Sequence, residues 1–126
     1  MKIVYILLLS CLMMTACSSN KATNSGTGQA QQQKPSLNVN VEVTGNKAEV
    51  TVDTDMSISE ANVGQARKAG EGHIHMYLDN GEKVTVAKGV KEFPDLAAGS
   101  HILRVSLHNN DHTPYDVTRT VEFEIK

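Results

Sequence analysis

Two histidines one residue apart, His73 and His75 in the run GEGHIHMYLD (70–79), are the residues whose type and spacing most directly suggest chemistry. Neutral imidazole nitrogen is a good ligand for zinc and copper(II), and residues i and i+2 of an extended strand project from one face. A lone His-X-His is a weak signal. Here the remaining histidines, His101, His108 and His112, complete a set of five confined to positions 73–112.

Side-chain parity decides which of them can meet. In the strand holding the pair, Ile74, Met76 and Leu78 form the apolar set, so His73, His75 and Tyr77 face outward. In HILRVSLH (101–108), Leu103, Val105 and Leu107 face inward and Arg104, Ser106 and His108 outward, while His101 shares the inward parity. If these two strands are antiparallel neighbours, His73 and His75 at the start of one lie beside His108 at the end of the other. Directly opposed Cβ atoms are then ~4.5–5.5 Å apart, close enough for several nitrogens to reach one ion at ~2.0–2.1 Å. The loop NNDHTP (109–114) leaves from the same edge, making His112 a fourth candidate ligand and Asp111 either a ligand or the acceptor that orients a histidine. Met56 offers the one well-placed thioether, which would suit copper(I), and Glu71 is the nearer of the two carboxylates flanking the histidine strand. Against this stands a plainer reading, in which His73, His75 and His108 decorate a solvated sheet face and His112 sits in a turn stabilised by Asn110 and Asp111.

The elements that must position these side chains are strands. LNVNVEV (37–43) and AEVTVD (48–53) alternate apolar and polar residues and are joined at Thr44-Gly45-Asn46; HIHMYLD and KVTVA are separated by Asn80-Gly81, a strong two-residue hairpin signal. A short piece at 90–93, then 101–108 and 117–126, complete six or seven strands with no useful helical spacing. The expectation is one all-β domain over 36–126, an antiparallel immunoglobulin-like sandwich in which the histidine strand and the 101–108 strand are central neighbours. LAAGSHIL (96–103) is similar to the L-x-x-G-x-Y turn of many such domains, with His101 in the place of the corner tyrosine, which implies a structural histidine bonded to nearby backbone.

What precedes the domain is of another kind. Residues 1–17, MKIVYILLLSCLMMTAC, combine one basic residue, an apolar run too short to span a bilayer, and small residues before Cys17. The ending Thr-Ala-Cys resembles the bacterial lipoprotein signal, which implies that Cys17 becomes the lipidated first residue of the mature chain; an ordinary secretion signal cut near Ala16 is the alternative. Residues 18–35 lack large apolar side chains and read as a disordered tether with a reach of about 20–25 Å. The chain holds two cysteines, both by position 17, so any metal in the domain is held by nitrogen, oxygen or thioether sulfur. With 12 basic and 14 acidic residues and no basic stripe, nucleic acid is not an expected partner.

GEGHIHMYLDN and LAAGSHILRVSLHNNDHTPY together resemble a pattern of small secreted or lipid-anchored bacterial β-sandwich domains, roughly G-H-x-H-x-Y-x-D followed by G-x-H-x-L-x-V-x-L-x-x-N-D-H-x-P. The resemblance covers about 70–115 and implies an extracytoplasmic, metal-binding domain, without supplying a reaction. His-X-His on a strand is also similar to the copper, zinc superoxide dismutases, but the cysteines of that architecture cannot exist here. No nucleophile motif or phosphate loop is present, so an enzyme is not expected. Two functions follow as expectations: a membrane-anchored module that captures, buffers or hands over copper or zinc, or an interaction domain that presents its outer sheet to an envelope partner.

Overall fold

The computed structural model describes residues 33–126. The expected leader (1–17), with Cys17, lies outside these residues, as does the tether apart from its last three positions. Pro35 is buried and the Ser36 amide donates to Asp55 Oδ1 at 2.6 Å, so both belong to the folded unit.

Among the described residues, eight strands build two sheets: β1 (Asn38–Thr44), β2 (Lys47–Asp53), β3 (Ser57–Ile58), β4 (Glu71–Leu78), β5 (Val84–Val86), β6 (Val90–Phe93), β7 (Gly99–Asn109) and β8 (Pro114–Ile125). One sheet has the order β1-β2-β6; the other runs β3-β4-β7-β8, with β5 pairing the same β4. Sequential hairpins β1-β2 and β7-β8, and the exchange of β6 to the far sheet, give the strand order of an immunoglobulin-like sandwich, A-B-E against C′-C-F-G. The chain is therefore an all-β, immunoglobulin-like fold, as the alternating pattern predicts.

The core lies between the sheets. Val50 and Val52 from one side meet Ile74, Met76, Leu103, Val105 and Leu107 from the other, and those last five side chains are fully buried. Each such side chain stabilises the fold by about 1.5–3 kcal/mol through removal from water. Because this apolar set fixes parity, a slip of one residue in either central strand would turn the core face to solvent, which locks the register. The register is antiparallel with His73 opposite His108, His75 opposite Ser106 and Tyr77 opposite Arg104, the pairing that parity requires.

Two details differ from expectation. The 54–72 stretch contributes β3, two residues that add in parallel to Glu71 and Gly72, too short to leave a periodic signature. The hairpin after β4 turns at Asp79 and Asn80, whose φ values are 51° and 56°, closed by the Gly81 amide donating to the Leu78 carbonyl at 2.8 Å. Asp79 rather than Gly81 takes a left-handed position because its carboxylate docks the turn on β7, accepting the Ile102 amide at 2.9 Å and His101 Nδ1 at 2.7 Å.

Candidate metal centre

β4 places His73 and His75 on the outer face of the second sheet, yet neither is wet. Their exposures are 0 % and 3 %, and this removes the reading in which they decorate a solvated face. Three things cover them. The ring of His108 stacks on that of His75, centroids 3.8 Å apart. The β7-β8 turn folds over with His112, and the 59–70 loop clasps that turn from the side through Gly64 N to Asn110 O at 2.7 Å and Arg67 to Thr113 Oγ1 at 2.6 and 2.8 Å.

Under that cover, ring nitrogens meet. His73 Nε2 lies 3.0 Å from His75 Nε2 and 3.0 Å from His112 Nδ1, and ligand atoms of the three residues all fall within 4.8 Å of one another. Hydrogen bonding alone satisfies this arrangement poorly. If His75 and His112 both donate to His73 Nε2, the His73 proton sits on Nδ1, which is buried and has no partner. If His73 carries its proton on Nε2, that single proton faces two neighbours and Nδ1 becomes an orphaned acceptor. Either tautomer leaves a buried polar atom unmatched, at a cost of about 1–3 kcal/mol. A cation at the meeting point would accept all three lone pairs at once, and these three residues could hold one.

Electrostatics keep the two buried rings uncharged. Burial first, and then the neighbouring histidines and Lys83, hold His73 down to a pKa of about 4 and His75 to about 3. Both rings are therefore neutral, the ligating form, well below the pH at which free imidazole protonates.

The turn that supplies His112 is tight. Asn109 N donates to Thr113 O at 2.8 Å and His112 N to Asn109 O at 3.0 Å, and His112 takes a left-handed φ of 67°. That conformation costs a residue with a Cβ roughly 1 kcal/mol and is the usual place of glycine or asparagine.

His108, expected in the trio, occupies a different place. Its Nδ1 is 3.1 Å from the His112 carbonyl and its Nε2 is 2.9 Å from Ser106 Oγ. A carbonyl only accepts, so Nδ1 carries the proton and, in the neutral ring, Nε2 accepts from the Ser106 hydroxyl. Direct opposition to His73 brings the ring near but turns its nitrogens along the hairpin; His112, reaching back over the sheet, supplies the third meeting nitrogen instead.

The other named residues lie apart from the meeting point. Met56 is buried in the core cluster. Glu71 is buried too, and its carboxylate is held by Lys68 at 2.9 Å, Asn110 at 3.0 Å and Asn62, which lower its pKa to about 2. Asp111 accepts from Thr113 and pairs with Arg67 at 3.4 Å, so it anchors the turn. His101 is seven residues from His108 along β7, ~23 Å at strand rise. Its Nε2 donates to Ala97 O at 2.8 Å and its Nδ1 to Asp79, the structural role expected of a corner residue. Ser106, Asn62, Asn110 and Arg67 position the site; of these the sequence pointed only to Asn110, as a residue of the turn that holds His112, and to the outward parity of Ser106 beside His108.

Among solved structures, the chain is similar to the PKD1 domain from Vibrio cholerae metalloprotease PrtV, at 12% identity and a TM-score of 0.48, over 72% of this chain and 95% of that one. It is likewise similar to the PKD1 domain of Vibrio anguillarum Epp, at 13% identity and 0.48, over 75% and 99%. No protein-family model and no curated protein matches the chain.

Proposed function

We propose that this protein is a membrane-anchored extracytoplasmic lipoprotein whose sandwich binds a transition metal, copper or zinc, for capture, buffering or handover at the cell envelope. The observation that carries the metal reading is the meeting of three ring nitrogens, from buried His73 and His75 and from His112 above them, where no tautomer of His73 satisfies its two nitrogens. Nitrogen-only donor sets suit zinc and copper(II). His108 acts beside them as a positioning residue that fixes the His112 carbonyl. The anchor rests on the leader and on Cys17, and the polar stretch 18–35 supplies the reach that holds the domain off the membrane.

Titration of the purified full-length chain with Cu(II) and with Zn(II) tests the metal reading. Submicromolar, one-to-one binding that is lost in His73→Ala supports it, and absence of saturable binding overturns it. Metabolic labelling with a palmitate analogue tests the anchor: label on the native chain but not on Cys17→Ser is expected.

The alternative, an interaction domain, draws on one feature of the same sheet. Arg104 lies over the exposed part of Tyr77 with its guanidinium 4.3 Å from the ring centroid, a shape-holding stack of the kind that contact surfaces use. Metal-independent retention of an envelope protein that disappears in Tyr77→Ala would favour it.

A further inference from the structure

The three ring nitrogens lie under cover, and the parts of that cover are not held equally firmly. His73 has no exposed surface and His75 only 3 %, so an ion cannot reach them until something above the sheet moves. β4 and β7 do not part easily, because their inner faces carry the fully buried Ile74, Met76, Leu103, Val105 and Leu107. What remains is the turn that brings His112, the exposed member of the three. The 59–70 loop holds that turn on both sides of His112. Gly64 N donates to Asn110 O at 2.7 Å, while Arg67 donates to Thr113 Oγ1 at 2.6 and 2.8 Å and pairs with Asp111 at 3.4 Å. Loop and turn also share one buried acceptor at the start of β4, the Glu71 carboxylate, which takes Lys68 at 2.9 Å and Asn110 at 3.0 Å. Every residue of the loop is half-buried or exposed, Val63 included. The loop is thus fastened by polar bonds with little apolar burial, and such a segment opens locally at far lower cost than a core strand. Gly64 and Gly70, with φ of 82° and 73°, give it pivots at the contact and at the junction with β4.

We propose that the 59–70 loop is a latch on the metal site, with Arg67 as its catch: metal enters and leaves when the loop lets go of the Asn109–Thr113 turn, so the latch sets the rate of exchange. This rests on the metal-binding reading above and names its regulation. None of the latch bonds uses a ring nitrogen of His73, His75 or His112. Weakening them therefore raises the open fraction of the empty and the loaded chain alike, so loading and loss accelerate together and their ratio, the affinity, is conserved. A residue that only shaped the bound site would act on loss alone. Holding and delivery become separate properties, with affinity set by the histidines and speed by the loop.

The test compares the full-length chain with Arg67→Ala, a change at an exposed position that leaves the core intact. Amide hydrogen exchange of the metal-free proteins comes first. The Gly64 amide should exchange faster than those of β4 and β7 in the native chain, and about fivefold faster again in the variant while β4 and β7 stay unmoved. Stopped-flow loading with Zn(II) or Cu(II), and removal by excess EDTA, should then both quicken about fivefold, with Kd held within about twofold. Because the Arg67–Asp111 pair is open to solvent, added salt should quicken exchange more in the native chain than in the variant. An unchanged Gly64 amide, or acceleration of the β4 and β7 amides along with it, overturns the latch. Faster metal loss with unchanged loading overturns it too, because Arg67 would then act on the bound state alone. Absence of saturable binding of either metal overturns the metal reading and the gating role with it, a failure distinct from the others because those leave metal binding or the hydrogen-exchange result in place.

Discussion

His73 Nε2 lies 3.0 Å from His112 Nδ1, joining a fully buried strand residue to an exposed turn residue thirty-nine positions along the chain. The contact exists only because β4 and β7 pair in one register and the β7-β8 turn folds back over the sheet. Any change that loosens the turn should therefore act on the site before it acts on the fold.

His112→Gly separates these two effects. The left-handed φ of 67° is strained for histidine and free for glycine, so relief of roughly 1 kcal/mol offsets the added entropy of glycine in the unfolded chain. Urea denaturation of the metal-free variant should give a stability within about 1 kcal/mol of the native chain, while metal affinity falls by at least tenfold. Equal losses of stability and binding would show that His112 serves the fold instead.

Ser106→Ala addresses the relay behind that turn. The hydroxyl holds His108 in the tautomer whose Nδ1–H donates to the His112 carbonyl, and such supporting bonds are typically worth 10–100-fold in metal affinity. A loss of about tenfold is expected, with nitrogen chemical shifts of His108 reporting a mixed tautomer in the variant and the Nδ1–H form in the native chain. An unchanged tautomer and affinity would remove His108 from any positioning role.

The outward parity of His73 and His75, their nearness to His108 and the sandwich itself were legible because the apolar residues of β4 and β7 alternate without interruption. Less visible was the exchange of His108 for His112. Parity states which face a side chain leaves from, but ring direction depends on hydrogen bonds to Ser106 Oγ and a carbonyl, and the reach of His112 depends on one left-handed residue in a turn. The burial of the pair was hidden for a related reason: its cover comes from the polar 59–70 loop and the Asn109–Thr113 turn, whose packing has no periodic trace. Glu71 likewise reads as a free carboxylate until Lys68, Asn62 and Asn110 close around it.

Gly72 carries a second consequence of the close pairing. A Cβ there would run into the carbonyl of His108 and come within 3.0 Å of Met56 Sδ. Backbone cannot yield without parting β4 from β7 beside the site. Gly72→Ala should cost about 3 kcal/mol in urea denaturation, at the upper end of overpacking effects, and should reduce metal affinity with it. A variant as stable as the native chain would contradict the closeness of the two strands.

The metal-free chain should lose stability in mild acid. His73 and His75 are held at about 4 and about 3 by burial and neighbouring charge, below the ~6.5 of the unfolded chain. Between those values the unfolded state binds more protons, so these groups leave stability unchanged above pH 6.5 and lower it as pH falls, by up to ~1.4 kcal/mol per pH unit for each histidine. Replacing both with leucine should flatten the stability profile between pH 6.5 and 4.5. For the same reason, protons compete with a metal for these two ligands only near pH 4, well below the ~6.5 expected of free imidazoles.

His101 should show the opposite sign at the other end of β7. Both its nitrogens donate, to Ala97 O and to Asp79, and these acceptors raise its pKa, while the Ile102 amide and then His101 lower that of Asp79. A raised histidine contributes stability that is fully present below the unfolded value near 6.5 and is lost as pH rises through the folded one. His101→Gln should therefore be more destabilising at pH 6 than at pH 9, by the same urea measurement, and should leave metal affinity untouched because the residue is ~23 Å of strand away from His108. A pH-independent cost would mean that the ring is held by packing against Phe123, 5.4 Å away, and not by charge.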